Sequence, residues 1–90
     1  MKYVVFYTSA EDVLSRAPEH MPVHGALIDE FQERGTLLLI GTFADPVRDG
    51  AMCIFTTREA AEDFVARDPF VRHGLVVRHE IREWKEILAP

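Results

Sequence analysis

The feature that most constrains this fold is a pair of predicted β-strands that are apolar on both faces. In the first, residues 2–8, two apolar sets alternate, Tyr3, Val5 and Tyr7 on one face and Val4 and Phe6 on the other. The second, residues 36–43, contains an unbroken run of leucine and isoleucine over 37–40. A strand exposed to water on one face alternates apolar and polar residues, whereas a strand apolar on both faces must be covered on both. The sheet that contains these strands therefore needs two covering layers.

The segment between these two strands predicts one helix. Residues 9–21 mix charged residues with proline and predict a loop, with at most a short helical turn over 11–16. A helix is predicted over 22–34, because Pro22 suits the first helical turn and Gly35 suits the position after the last one.

The second half of the chain repeats the pattern in another order. Asp-Pro and Asp-Gly pairs within 44–50 predict a hairpin connection into a strand over 51–57. A threonine at 56 or 57 can cap a second helix, which ends near residue 67 because Asp68-Pro69 follows. After a connection over 69–74, a last strand with a charged, exposed character is predicted over 75–84.

The resulting β-α-β-β-α-β order predicts an α+β, ferredoxin-like domain with a four-stranded antiparallel sheet, and we expect residues 1–90 to form this single domain. Right-handed crossovers place both helices on one face of the sheet. No segment remains to cover the other face, and a chain this short is marginal as a monomer. A second copy packed sheet against sheet is the economical solution, and predicts a homodimer of the dimeric α+β barrel type.

Composition excludes several classes of function. The formal net charge of −5 and the scattered basic residues argue against a nucleic-acid partner. No run approaches the roughly 18 apolar residues of a membrane span, and the N-terminal segment does not resemble a signal peptide, so we expect a cytoplasmic protein without a membrane partner. The single cysteine, Cys53, lies in an apolar run and is expected to be a core residue.

Two polar residues are predicted to meet although they are distant in sequence. His24 falls on the inward side of the first helix, beside the row Val23, Leu27 and Phe31, in its first turn. Asp68 continues the inward stripe of the second helix and falls in its last turn. The two helices run in opposite directions in this topology, so these ends lie side by side. Both placements would oppose the helix dipoles, which suggests another demand on them.

A carboxylate beside an imidazole supports acid–base chemistry. It holds the ring in one tautomer and favours its protonated form, whereas burial and a helix N-terminus oppose protonation; a pKa near neutrality would suit a general base or acid. The alternative is that Asp68 only stops the helix and His24 is a half-buried packing residue. His20 and His24 have the spacing of a helical metal pair, but Pro22 lies between them, and we predict no metal. His73 and His79 are predicted surface residues.

Several elements in order resemble the YciI-like (YCII-related) family. They are the apolar first strand, His24 in an amphipathic helix, Gly35 followed by leucines up to Gly41, and the run Ala66-Arg67-Asp68-Pro69-Phe70-Val71 with Gly74. The resemblance spans nearly the whole chain and implies a dimeric ferredoxin-like barrel with a His–Asp active site, whose residues map onto His24 and Asp68. Related members include a dehydrochlorinase of chlorinated hydroxyhydroquinones, and similar barrels serve as muconolactone isomerases.

The resemblance and the residues together predict a cofactor-free lyase or isomerase acting on a small, ring-containing molecule. Tyr7, Thr42, Phe43 and Phe70 are candidates to line the substrate pocket beside the pair. Trp84 is expected to anchor packing at the dimer seam. Two alternatives remain, a binding module that uses the same pocket without catalysis and a domain that serves dimerisation alone.

Overall fold

The computed structural model describes Met1–Pro90 and contains eight elements. They are β1 (Lys2–Ser9), α1 (Val13–Glu33), β2 (Leu37–Thr42), α2 (Pro46–Asp49), β3 (Ala51–Phe55), α3 (Arg58–Arg67), α4 (Pro69–Arg72) and β4 (Val76–Trp84). The predicted order of strands and long helices is confirmed. The single-turn helices α2 and α4 are additions, and they occupy the two segments that were predicted as connections.

The four strands form one antiparallel sheet in the order β2-β3-β1-β4, which confirms the ferredoxin-like α+β class. The long helices α1 and α3 contribute to a core on one face of this sheet. At its centre, Phe64 of α3 packs edge to face on Phe31 of α1 at 5.3 Å between ring centroids, with Phe55 of β3 beneath them. Cys53 is buried in this core, as predicted.

The predicted start of the first helix was wrong. α1 begins at Val13 rather than Pro22, so most of the segment predicted as a loop is helical, with Pro18 and Pro22 inside it. Proline in a helix interior removes a hydrogen-bond donor and crowds the preceding turn. Both prolines lie on the exposed side of α1, where water can solvate the freed carbonyls. Val13 is buried at the start of the helix, and this tertiary contact favours the extra turns.

The predicted inward row of this helix was also wrong at one position. Val23 is 63% exposed, whereas Leu27 and Phe31 are buried. Four residues turn a helix by more than one full revolution, so a row of every fourth residue drifts around the axis. Two such steps separate Val23 from Phe31, and they carry Val23 out of the buried stripe.

The ends of the helices follow the local signals more closely. α1 ends at Glu33, and Gly35 follows with a φ of 76°, the conformation expected of glycine beyond a helix end. α3 is capped by Thr57, whose side chain accepts a hydrogen bond from the Ala60 backbone N–H at 3.1 Å. None of the helices is both long enough and apolar enough to cross a bilayer.

The second face of the sheet is apolar on β1, β2 and β3, is charged on β4, and carries no covering helix within the chain. Val4 and Phe6 of β1 and Met52 and Ile54 of β3 form its centre, and Trp84 borders a depression of about 340 Å³ above them. On the neighbouring strand β2, Leu39 pairs with Ile54 and is 66% exposed. The second apolar face inferred from the sequence is therefore present.

Replacing Gly50 by alanine is expected to destabilise the fold much more than the same change at Gly35. Both glycines have a φ of 76°, so each substitution carries a strain of about 1 kcal/mol. A methyl group at Gly50 would also overlap the backbone carbonyl of Tyr7, whereas nothing lies within 4 Å of the same group at Gly35. Urea unfolding should give a loss above about 2 kcal/mol for Gly50→Ala. Equal losses at the two positions would contradict the packing of Gly50 against β1.

Candidate active site

His24 lies near the middle of α1, on the side that faces the sheet. Its side chain is only 12% exposed. The prediction that it sits in the first helical turn was wrong because α1 starts at Val13. His24 therefore lies too far from the helix N-terminus for the ring to oppose the helix dipole.

Asp68 lies at the junction of two helices. It follows the last residue of α3 and caps α4, where its Oδ1 accepts a hydrogen bond from the Phe70 backbone N–H at 3.0 Å. Pro69 suits the first position of α4 because its fixed φ is helical and its missing N–H would have no partner there. The predicted position in the last turn of the second helix was therefore wrong. Asp68 is the residue that ends α3 and begins α4, and its carboxylate accepts one backbone hydrogen bond there.

The structure brings His24 and Asp68 together, as the antiparallel helices predicted. His24 Nδ1 lies 2.9 Å from Asp68 Oδ1, and the carboxylate is fully buried. The second oxygen, Oδ2, accepts a hydrogen bond from the Tyr7 hydroxyl at 2.8 Å. Burial first, and then the nearby Asp68 charge, hold the pKa of Tyr7 above its ordinary value, so the phenol stays a donor.

This arrangement assigns the imidazole nitrogens. Asp68 is surrounded by donors, which suits an ionised carboxylate that only accepts. His24 Nδ1 therefore carries its proton in the neutral ring, and Nε2 has a free lone pair. Nε2 makes no hydrogen bond within the chain and is not sealed from solvent. The site thus presents one oriented proton acceptor at the edge of a buried carboxylate.

Aromatic rings surround the imidazole. Phe70 of α4 stacks on His24 at 4.0 Å between ring centroids with planes 11° apart, and Phe64 meets it edge to face at 6.4 Å. One turn earlier on α1, His20 stacks on His73 at 4.5 Å. Two stacked ring pairs therefore connect α1 to α4 and to the residue that follows it, His73.

His20 belongs to the same helix as His24, which corrects the prediction that Pro22 would separate them. The two rings nevertheless have different partners, His73 for His20 and Asp68 with Phe70 for His24. No three His, Cys, Asp or Glu side chains converge in a way that could hold a metal ion. His73 and His79 are exposed, as expected from the sequence.

The four predicted pocket residues separate into two groups. Tyr7 and Phe70 both contact the His–Asp pair directly. Thr42 lies on the same rung of the sheet as Tyr7 but two strands away, about 10 Å at the usual strand spacing. Thr42 and Phe43 line a separate depression of about 240 Å³ along β2 and β3. The structure does not bring these two residues to the pair, and their part in substrate binding stays a prediction.

Sequence reasoning did not find the hydrogen bond from Tyr7 to Asp68. Tyr7 was predicted only as a pocket wall, although a tyrosine on the buried face of a central strand usually has a polar partner for its hydroxyl. Cys53 also lies within reach of the Asp68 charge. Burial first, and then Asp68, raise the pKa of the Cys53 thiol to about 12, so it stays protonated and unreactive at neutral pH.

The sheet order, the one-sided helical layer and the buried His–Asp pair define a ferredoxin-like α+β protein with a candidate acid–base site. The family model of the YCII-related domain matches residues 1–85, and the chain belongs to this family. No curated protein sequence matches it significantly.

A solved structure supports the same class. The chain is similar to 5-chloro-2-hydroxyhydroquinone dehydrochlorinase (TftG) from Burkholderia phenoliruptrix, determined in complex with 2,5-dihydroxybenzoquinone. The TM-score is 0.69, the alignment covers 94% of each chain, and 19% of the aligned residues are identical. At this identity the similarity establishes the shared fold.

Proposed function

We propose that this protein is a cofactor-free small-molecule enzyme of the lyase or isomerase type, with His24 as general base and Asp68 as the residue that orients it. The observation that carries the proposal is the buried carboxylate on Nδ1, which leaves Nε2 as a free proton acceptor. A general base in this position contributes about 10²–10⁴-fold to a proton-transfer step.

The chemistry requires only a proton acceptor that can also return the proton. His24 Nε2 takes a proton from a C–H or O–H group of the substrate, and the electron pair left behind forms a new double bond. In a lyase, chloride or another leaving group departs with the electrons of its own bond. In an isomerase, the imidazolium returns the proton to a different substrate atom. Asp68 stabilises the imidazolium in both cases without changing its own protonation.

A planar, hydroxylated ring is the substrate class that we propose. Phe70, which is partly exposed, offers an aromatic surface beside the imidazole, and such a surface favours flat, apolar ligands. The dehydrochlorinase of the same fold carries a dihydroxybenzoquinone, which agrees with this class.

Access to the imidazole lies along the contact between α1 and α4, beside Phe70. Nε2 of His24 is not sealed from solvent, and Phe70 covers one face of the ring. We infer that a substrate reaches Nε2 along the contact between α1 and α4, with Phe70 displaced or stacked on the incoming ring. The small exposed fraction of the His24 side chain, 12%, favours a second candidate function, a domain that binds a small molecule or serves dimerisation without turnover.

We also propose that residues 1–90 act as one domain that pairs with a second copy through the open face of the sheet. Val4, Phe6, Met52 and Ile54 on this face would then form a second core. Sheet-on-sheet packing of this kind buries the apolar faces of both subunits in one interface. Trp84 lies at the border of the face, where it can anchor the seam.

A substrate panel tests the proposed activity. We expect the protein to release chloride from, or to rearrange the ring of, at least one member of a set of chlorinated and unchlorinated hydroxyhydroquinones. Chromatography of the products and measurement of free chloride detect the two reactions. Saturable binding by calorimetry without turnover would instead support the non-catalytic candidate. Neither binding nor turnover with any member would contradict the proposed substrate class.

A further inference from the structure

We propose that Tyr7 is a positioning residue of this site, whose hydroxyl fixes the plane of the Asp68 carboxylate and thereby sets the strength of the hydrogen bond that His24 Nδ1 donates to Asp68. The importance of this bond for turnover rests on the proposed function. The bond itself is a property of the folded chain and can be measured without a substrate.

The contacts of Asp68 divide between its two oxygens. Oδ1 accepts from His24 Nδ1 at 2.9 Å and from the Phe70 backbone N–H at 3.0 Å, whereas Oδ2 accepts only from the Tyr7 hydroxyl at 2.8 Å. The terminal torsion of an aspartate is broad, so contacts at one oxygen alone leave the carboxylate free to rock. The phenol holds the other oxygen and defines the plane.

Tyr7 is itself held on a rigid element. It lies on the central strand β1, between Ala51 of β3 and His79 of β4, and its backbone carbonyl packs against Gly50. Its side chain is only 7% exposed. Side chains on strands inside a sheet are held in position more rigidly than side chains on loops. Tyr7 therefore restricts the orientation of the Asp68 side chain, which lies on a bend between two helices.

The hydroxyl also shares the charge of the carboxylate. A fully buried carboxylate needs donors at each oxygen, because an unpaired charged oxygen away from water is costly. With the Tyr7 donor removed, Oδ2 has no partner in the chain. More negative charge then remains on the carboxylate to attract the proton on His24 Nδ1, and this hydrogen bond becomes shorter and stronger.

This role differs from substrate contact. The Tyr7 hydroxyl is committed to Asp68 and lies beneath it, on the sheet side of the pair, whereas the free Nε2 of His24 reaches solvent. Tyr7 therefore acts through Asp68. Tyr3 offers a matched comparison because it lies on the same strand and the same face, is partly buried, and makes no hydrogen bond to Asp68.

The test is proton NMR of the His24 Nδ1–H in Tyr7→Phe and Tyr3→Phe, with the resonance assigned by its loss in His24→Ala. We expect the resonance to move downfield in Tyr7→Phe and to stay in place in Tyr3→Phe, with the amide spectra showing that both proteins are folded. An unmoved resonance in a folded Tyr7→Phe protein would overturn the proposal.

A second measurement strengthens the donor instead of removing it. Uniform replacement of tyrosine by 3-fluorotyrosine makes the phenol a better donor, so the His24 resonance should move upfield, opposite to the effect of Tyr7→Phe. A shift of the His24 resonance in the same direction for both changes would also contradict the positioning role of Tyr7.

If the wild type turns over a substrate, Tyr7→Phe should lower the rate about tenfold. An NMR effect in a protein without turnover would reject the proposed function and leave the positioning role intact.

Discussion

Replacing His24 by alanine is expected to reduce turnover by about 10²–10⁴-fold, the usual contribution of a general base. The change removes Nε2 and leaves the buried Asp68 carboxylate without its ring partner. The loss is measured as the ratio of the initial rates of the wild type and the folded variant at saturating substrate.

His20→Ala is the matched control. His20 lies one turn earlier on the same helix, its side chain is 16% exposed against 12% for His24, and it also stacks on a ring near α4. It has no contact with Asp68, so its loss should leave the rate within about threefold of the wild type. Equal losses in the two variants would mean that the α1–α4 packing matters, rather than a proton acceptor at His24.

A carboxylate on the open sheet face is expected to abolish dimerisation. Leu39→Asp and Ile54→Asp each place a charge where a second copy would seal it from water, at a cost of several kcal/mol. The dimer dissociation constant should rise by more than about 100-fold. Sedimentation velocity over a concentration series measures the shift from dimer to monomer.

Leu14→Asp is the control for this experiment. Leu14 lies on the outer side of α1 and is 63% exposed, nearly the same as Leu39 at 66%, but it belongs to the opposite layer of the molecule. It should leave the dimer unchanged. Loss of the dimer in Leu14→Asp with an unaffected Leu39→Asp protein would place the interface on the helices, and a monomeric wild type would remove the sheet-face dimer altogether.

The strands and the second long helix were predictable because their signals are local. Apolar residues on both faces of β1 and β2, the threonine cap of α3 and the Asp-Pro stop after Arg67 each act over a few neighbouring residues. The start of α1 was not predictable in this way. Two prolines indicate a break by local rules, and tertiary contacts explain why the helix continues through them: the burial of Val13 and the contacts of Arg16 and His20 with His73.

The candidate site shows the same division. The topology deduced from the sequence was sufficient to bring His24 near Asp68, because antiparallel helices on one face of a sheet place their facing residues side by side. It did not predict that Asp68 caps a further short helix, that Phe70 covers the imidazole, or that Tyr7 binds the second carboxylate oxygen.

By itself, then, the sequence determined which segments are strands, that the sheet has two apolar faces, and which imidazole and carboxylate share a region of the fold. Only the tertiary structure decided the hydrogen-bond partners of Asp68, the tautomer of His24 and the closure of the site by Phe70. The physical reason is distance along the chain. Tyr7 and His24 lie 61 and 44 residues from Asp68, and the direction of each side chain depends on packing that no local pattern records.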